Sequence, residues 1–120
     1  MRILLVDDSK AMRVIVRRQL GRLGVDDADV VEAANGTEAL AAVHDAQPDL
    51  IVSNWNMPEM DGHQLLRTLR AEGNDVPLGF ITSESTADMR MEASAAGALF
   101  VISKPFTAAD FAPILSAVAA

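Results

Sequence analysis

The stretch DLIVSNWNMPEMDG, Asp49–Gly62, gives the clearest indication of how this chain folds. Leu50–Ser53 is a short run of apolar or small residues in which polar and apolar side chains do not alternate. Such a run predicts a strand that is buried on both faces, as in parallel sheets covered by helices. A polar loop follows, and at Gly62 a helical pattern of apolar residues begins. The stretch therefore predicts a strand, a loop and a helix of an α/β domain.

The same pattern of strand, turn and helix recurs along the whole chain. The apolar runs are Ile3–Val6, Val30–Ala33, Leu50–Ser53, Leu78–Ile81 and Leu99–Ile102. Each run is followed by a polar turn and then by apolar residues at helical spacing. Parallel strands that alternate with helices are joined by right-handed crossovers. The chain is therefore predicted to form a doubly wound, five-stranded parallel sheet with five helices.

The first helical pattern separates apolar from basic side chains. Its predicted inward stripe consists of Met12, Ile15, Val16, Leu20 and Leu23. The side chains expected to form a solvated face are Arg13, Arg17 and Arg18. Asp8 or Ser9 is suited to cap the N-terminus of this helix, and Gly24 is suited to end it.

Length and composition indicate one globular domain, residues 1–120. Half of the 120 residues are hydrophobic, which argues against a disordered chain. No apolar run approaches the roughly 20 residues of a membrane span. Asp7 interrupts the first apolar run before it reaches the length of a signal peptide. We therefore expect a soluble domain that carries no membrane segment.

Charge and cysteine content exclude several classes of function. The net charge is −7 and the isoelectric point is about 4.6, which argues against nonspecific binding to nucleic acid or to an anionic membrane. The chain has no cysteine, so it carries no disulfide framework, thiol nucleophile or zinc–thiolate site. This composition is consistent with a cytoplasmic protein.

Polar residues follow four of the predicted strands at their carboxyl ends. They are Asp7, Asp8, Asn54, Asn56, Thr82 and Lys104. Each residue alone has an ordinary structural explanation, such as a helix cap or a turn, but ligands of doubly wound sheets bind at this edge. Carboxylate and carbonyl oxygens suit Mg²⁺, and lysine and threonine can donate to phosphoryl oxygens. Their joint occurrence predicts a site for magnesium-dependent phosphoryl chemistry.

Four segments closely resemble bacterial response-regulator receiver domains, above all the stand-alone, CheY-like members of chemotaxis systems. They are Leu5–Ser9, Asn54–Gly62, Thr82–Glu84 and Lys104–Thr107. The resemblance implies a flavodoxin-like fold with strand order 2-1-3-4-5, and a signalling switch rather than an enzyme. It also implies a monomer that, with aspartate at position 54, receives phosphate from a histidine kinase. Such a monomer would bind a downstream protein through its fourth helix, fifth strand and fifth helix.

The resemblance also implies a role for each site residue. Asp8 would bind magnesium directly, Asp7 largely through water, and Asn56 through its backbone carbonyl. Thr82 would bond a phosphoryl oxygen, and Lys104 would pair with the charged site. The peptide bond that follows this lysine resembles the cis bond of the family.

Two positions depart from the family pattern. Where the family has an aspartate that ligates the metal and accepts the phosphoryl group, this chain has Asn54, whose amide has no stable phosphorylated form. We therefore expect weakened magnesium binding and no phosphorylation. Where the family usually has a tyrosine or phenylalanine that swings inward on activation, this chain has Val101. Phe100 is one position earlier and is expected to point to the opposite face of the strand.

Asn54 leaves two interpretations open. The otherwise intact site favours an aspartate that was replaced deliberately to hold the switch off. The alternative is a natural pseudo-receiver that binds its partner without phosphate. A magnesium-dependent phosphohydrolase fits less well, because those enzymes resemble this chain less and need Asp-x-Asp after the first strand, whereas Asp7 and Asp8 are adjacent. A flavodoxin-like cofactor protein would need a phosphate-cradling loop there, and two aspartates would repel a phosphate.

Overall fold

Five strands and five helices alternate along the chain, all 120 residues of which are described by the computed structural model. The strands are β1 Ile3–Val6, β2 Val30–Ala33, β3 Leu50–Asn54, β4 Leu78–Thr82 and β5 Val101–Ser103. The helices are α1 Lys10–Arg22, α2 Gly36–Ala46, α3 Gly62–Ala71, α4 Ala87–Ala95 and α5 Ala108–Ala119. The strands form one parallel sheet in the order β2-β1-β3-β4-β5, which confirms the predicted flavodoxin-like fold.

The observed strands follow the predicted apolar runs with small differences at their ends. β3 and β4 each extend one residue beyond the prediction, to Asn54 and Thr82. β5 begins at Val101 rather than at Leu99, although the N–H of Leu99 still donates to the Leu78 carbonyl at 2.7 Å. The Leu99 side chain is 49 % exposed, because β5 is the edge strand and the chain enters the sheet from the surface there.

The sheet separates two apolar cores, because successive side chains of a strand point to opposite faces. One core lies beneath α2, α3 and α4, and its members include Leu4, Ile51, Leu65, Leu78 and Phe80. The other core lies beneath α1 and α5, and its members include Ile3, Leu5, Leu20, Leu50 and Phe111. The inner strands are therefore buried on both faces, as their uninterrupted apolarity predicted. None of the five helices combines the length and the apolar character that crossing a bilayer requires.

Helix α1 differs from the predicted inward stripe at one residue. Val16 is buried, but Ile15 is 42 % exposed. Successive helical residues are rotated by about 100°, so Ile15 lies beside the stripe rather than within it. Ser9 caps this helix, and its Oγ accepts a hydrogen bond from the N–H of Met12 at 3.2 Å.

The register of the sheet aligns the carboxyl ends of its strands. Val6 lies beside Ser53, and Ser53 lies beside Phe80. Thr82 lies beside Ser103 at the end of β5. Because all strands run in one direction, the residues that follow β1, β3, β4 and β5 emerge at the same edge of the sheet.

Candidate functional site

The six polar residues singled out in the sequence all lie at this carboxyl edge. They are Asp7, Asp8, Asn54, Asn56, Thr82 and Lys104. Their loops follow β1, β3, β4 and β5, which are neighbours in the sheet. The N–H of Lys104 donates to the carbonyl of Thr82 at 2.8 Å, so the main chain joins the carboxyl ends of β4 and β5.

The two aspartates differ in their surroundings. Asp7 is buried, and its Oδ1 accepts a hydrogen bond from the N–H of Ser9 at 2.9 Å. Burial raises the pKa of Asp7 above its ordinary value, although the Ser9 N–H and the charge of Lys104 act in the opposite direction. Asp8 is exposed, and Ser9 rather than Asp8 caps α1. The Asp8 carboxylate is therefore free of a capping role and open to solvent.

The Asn54 side chain makes hydrogen bonds to two different loops of the site. Its Nδ2 donates to the main-chain carbonyl of Asn56 at 2.7 Å, and its Oδ1 accepts from Nζ of Lys104 at 3.5 Å. A flipped amide would place two oxygens together on one side and two nitrogens on the other, so the network selects this orientation. The side chain thus bridges its own loop and the loop after β5.

Thr82 ends β4 with its side chain buried. Its Oγ1 accepts a hydrogen bond from the N–H of Glu84 at 3.1 Å. A hydroxyl that accepts in this way keeps its own proton for donation. The start of the β4–α4 loop is therefore held by the side chain that, in the family, would bond a phosphoryl oxygen.

Gly62 closes the loop between β3 and α3, and its importance was not recognised in the sequence. Its N–H donates to the carbonyl of Trp55 at 3.0 Å. A Cβ at this position would overlap the Asn54 carbonyl oxygen and would lie 2.7 Å from the Phe80 ring. The loop that presents Asn54 and Asn56 can therefore close only over a residue that has no side chain.

Trp55 packs against aromatic neighbours instead of facing an open ligand site. Its ring stacks on His63 with centroids 5.1 Å apart, and it meets Phe80 edge to face at 4.9 Å. Offset stacks and edge-to-face pairs of this kind stabilise aromatic clusters. The indole therefore lies next to the site loop in a fixed environment, which makes its fluorescence a suitable reporter of that loop.

The prediction that Arg13 and Arg17 form a solvated face is wrong. Arg13 Nε and Arg17 Nη2 each lie 2.7 Å from the carboxylate of Glu32 on β2. Burial acts to raise the pKa of Glu32, but the hydrogen bonds from both guanidinium groups hold it below its ordinary value. Arg13 also donates to the main-chain carbonyl of Asp7. Of the three arginines, only Arg18 is exposed to solvent.

A specific signal in the sequence points to this network. Glu32 is the only charged residue within the five strands. Arg13 and Arg17 are four positions apart, and residues at that spacing share one face of a helix. An anion on a strand and two cations on one helical face indicate an ion-pair cluster between α1 and β2.

Phe100 and Val101 lie on opposite sides of the sheet, as predicted. Val101 packs against the core beneath α2, α3 and α4, whereas Phe100 packs against the other core. Arg90 of α4 reaches toward β5, where its Nη2 donates to Oγ of Ser103 at 3.1 Å. Its Nε donates to Oγ of Ser85 at 2.6 Å, so Arg90 joins the β4–α4 loop to β5.

The donor atoms at the carboxyl edge fit a hard divalent cation. The carboxylates of Asp7 and Asp8 and the carbonyl of Asn56 are oxygen donors of the kind that Mg²⁺ prefers. A shallow depression lined by Asp8, Asn56 and Asp61 opens beside them to solvent. The Asn56 carbonyl already accepts a hydrogen bond from Asn54, and no cluster of three or more carboxylate, histidine or cysteine ligands is present. The set therefore supplies oxygen ligands of the kind that magnesium prefers.

A doubly wound sheet that presents an acidic pair, a buried threonine and a lysine at its carboxyl edge defines a flavodoxin-like signalling domain. The chain belongs to the response-regulator receiver family, because the family model described as "Response regulator receiver domain" matches residues 3–116. Receiver domains act as signalling switches rather than as classical enzymes, and they generally bind magnesium. The resemblance inferred from the sequence motifs is thereby confirmed.

Individual relatives place the chain among CheY-like receivers. It is 41 % identical over 110 residues to the chemotaxis protein CheY of Pseudomonas aeruginosa, covering 90 % of this chain and 87 % of that protein. It is 40 % identical over 111 residues to the chemotaxis protein CheY1 of Helicobacter pylori strain J99, covering 89 % and 87 %.

Solved structures agree with this placement. The structure of the chemotaxis protein CheY4 of Vibrio cholerae superposes with a TM-score of 0.85 at 33 % identity, covering 98 % of this chain and 97 % of that one. The receiver domain of a Francisella response regulator superposes with a TM-score of 0.87 at 25 % identity, covering 98 % and 94 %.

Proposed function

We propose that this chain is a single-domain response regulator of chemotaxis type in which Asn54 prevents phosphorylation. The observation that carries the proposal is the double engagement of the Asn54 side chain, with the Asn56 carbonyl on one side and Lys104 on the other. An amide has no carboxylate oxygen with which to attack a phosphoryl donor. Its Nδ2–H also points at the carbonyl that a metal ion would use.

The residues that would hold magnesium are Asp7, Asp8, Asn54 through its Oδ1, and Asn56 through its carbonyl. When bound, the ion would neutralise charge on a transferring phosphoryl group. Thr82 and Lys104 would donate to the oxygens of that group. The neutral amide weakens this site twice, because it removes one anionic ligand and because it competes for the Asn56 carbonyl.

The form with aspartate at position 54 would receive phosphate from a histidine kinase and bind a downstream protein as a monomer. We assign the output surface to α4, β5 and α5, in line with CheY-like receivers. Met91 on α4 is 69 % exposed and Leu99, just before β5, is 49 % exposed. Both are large apolar side chains exposed on or next to the assigned elements, where a protein partner could cover them.

A phosphorylation-independent interaction module is the alternative function. Its specific support is that Asn54 already joins the loops after β3 and β5 by hydrogen bonds, without a phosphoryl group or a metal ion. Val101 supports it as well, since an aromatic switch residue is missing from that position.

Phosphorylation with acetyl phosphate and magnesium, read out by intact mass, tests the proposal. We expect no stable phosphoryl adduct on this chain and a single adduct on the Asn54→Asp variant. An adduct mapped to Asn54 or Thr82 would overturn the proposal. Failure of Asn54→Asp to label would favour the phosphorylation-independent module.

A magnesium titration followed by Trp55 fluorescence tests the weakened metal site. We expect a higher dissociation constant for the Asn54 chain than for Asn54→Asp. Equal affinities would mean that position 54 contributes no ligand.

A further inference from the structure

We propose that Arg13 is a positioning residue for the metal site, which it serves by fixing the peptide group between Asp7 and Asp8. The inference rests on the proposed function, because it concerns the same magnesium site. No contact with the metal is assigned to Arg13. Its action is on the main chain from which both acidic side chains project.

Asp7 is held at every polar group that it has. Its N–H donates to the Ala33 carbonyl at 3.1 Å, and its Oδ1 accepts from the N–H of Ser9 at 2.9 Å. Its carbonyl accepts from Nη1 of Arg13. This last hydrogen bond is the only one of the three whose donor is a side chain. A substitution at residue 13 therefore removes it and leaves Asp7 and its other two hydrogen bonds in place.

The guanidinium of Arg13 is itself held in place. Its side chain is only 14 % exposed, and its Nε lies 2.7 Å from Oε1 of Glu32. Glu32 projects from β2, and its other oxygen, Oε2, accepts from Arg17 at 2.7 Å. The planar fork of an arginine places several donors in fixed directions. Anchoring one edge to Glu32 therefore directs another N–H at the Asp7 carbonyl.

The consequence for the metal site follows from geometry. Without this hydrogen bond the main chain at Asp7 and Asp8 is freer to shift, and both carboxylates project from that main chain. Magnesium demands near-ideal octahedral geometry, so small displacements of its ligands weaken binding. Groups that orient metal ligands typically change affinity by 10- to 100-fold when they are lost. We expect Arg13→Gln to weaken magnesium binding by about tenfold, at the lower end of that range.

Arg17→Gln is the matched control. Arg17 also binds Glu32, and it additionally binds the Asp27 carboxylate and the Val30 carbonyl, but it has no contact with Asp7. If these arginines only stabilised the fold, losing Arg17 would be at least as damaging as losing Arg13. A positioning role requires that only Arg13 affects the metal.

The experiment uses the full chain with Asn54 and, separately, with Asn54→Asp, each carrying Arg13→Gln, Arg17→Gln or neither. Magnesium chloride is titrated with Trp55 fluorescence as the readout. The 13C shift of the Asp7 carbonyl and the 15N shift of the Asp8 amide are recorded without metal, since they report the hydrogen bond directly. Arg13→Lys, which can still donate to the Asp7 carbonyl, should recover part of the affinity.

We expect both NMR shifts to move and the affinity to fall about tenfold with Arg13→Gln, while Arg17→Gln stays within about twofold of its parent. Equal losses from both variants, or shifts that move while the affinity is unchanged, would overturn the inference. Parents that bind no magnesium would also overturn it. Should Arg13→Gln fail to fold, Glu32→Gln replaces it, because this variant keeps Arg13 but removes the carboxylate that anchors its guanidinium. We expect a smaller loss of magnesium affinity from Glu32→Gln, and an unchanged affinity would refute the role of Arg13.

This result is separable from the proposed function. Restored labelling of Asn54→Asp together with unchanged affinity in Arg13→Gln would refute only the role of Arg13. Absent labelling together with a selective Arg13 effect on magnesium affinity would refute only the phosphorelay proposal.

Discussion

Nδ2 of Asn54 donates to the main-chain carbonyl of Asn56 at 2.7 Å, so the side chain at the end of β3 is hydrogen-bonded to its own loop. An ionised aspartate has no hydrogen to donate and would turn an oxygen toward this carbonyl, so the two oxygens would repel each other. A cation between the two oxygens would remove that repulsion. The Asn54 amide, which donates to this carbonyl, avoids the repulsion without a cation.

This relationship predicts that Asn54→Asp is less stable than the Asn54 chain when metal is chelated. Asp7, Asp8 and the new carboxylate would then repel one another, and two unit charges about 4 Å apart interact by about 4 kcal/mol at an effective dielectric of about 20. Lys104 gains an anionic neighbour, which offsets part of this cost. We expect a net loss of about 1–2 kcal/mol in the free energy of unfolding, measured by urea denaturation in chelator.

Excess magnesium provides the control for this prediction. An ion stabilises the form that binds it more tightly, so the gap between Asn54→Asp and the Asn54 chain should narrow as magnesium is added. Greater stability of Asn54→Asp in chelator would mean that pairing with Lys104 outweighs repulsion among the carboxylates. Repulsion among the carboxylates would then not determine the stability of this pocket.

Asp7 predicts a specific pH dependence of stability. Because burial raises its pKa, the folded chain holds a proton at pH values where the unfolded chain has lost it. The contribution of Asp7 to stability therefore falls as the pH rises from about 4, where an ordinary aspartate titrates, through its folded-state pKa. Asp7→Asn should be more stable than the parent at pH 7 and equally stable near pH 3, in chelator. A stability difference between Asp7→Asn and the parent that is the same at both pH values would contradict the raised pKa of Asp7.

Gly62 predicts a large effect from the addition of one methyl group. Gly62→Ala would place Cβ against the Asn54 carbonyl oxygen and the Phe80 ring, neither of which can move freely. We expect a loss of about 3 kcal/mol in the free energy of unfolding, since overpacking against a fixed main chain is poorly tolerated. Gly21→Ala in α1 is the matched control, because no atom lies within 4 Å of its added Cβ. It should stabilise the chain by about 0.5–1 kcal/mol, and equal effects of the two substitutions would refute the proposed clash.

The sheet and the position of the site could be predicted because their signals are local. Leu50, Ile51 and Val52 are apolar because a core covers each face of β3, and polar residues begin where the strand ends. Asp7 and Lys104 are far apart in sequence, yet both follow strands of one parallel sheet. The topology alone brings them to the same edge.

The contacts within the site could not be predicted in the same way, because they depend on packing between distant elements. The spacing of Arg13 and Arg17 places them on one helical face, but only the packing of α1 against β2 shows that this face meets Glu32. Gly62 resembles an ordinary helix-start residue until the Phe80 ring is placed beneath it. Contacts of this kind require the register of the sheet and the rotation of each helix, which apolar periodicity fixes only approximately.

The hydrogen bonds of Arg90 lead to a prediction about the local stability of the β4–α4 loop. Its guanidinium donates to Ser85 in the loop and to Ser103 and the Val101 carbonyl on β5. Arg90→Met keeps most of the apolar stem but removes all three hydrogen bonds. The amide of Glu84 in this loop should then exchange with solvent about fivefold faster, equivalent to about 1 kcal/mol of local stability. Arg67→Met is the control, because Arg67 is exposed on α3 and makes no hydrogen bond or ion pair in the structure. The measurement is hydrogen exchange followed by NMR in chelator. Similar exchange rates in the two variants would mean that the loop is held by Thr82 and the main chain alone. Faster exchange confined to Arg90→Met would identify Arg90 as the side chain that joins the β4–α4 loop to the edge strand of the sheet.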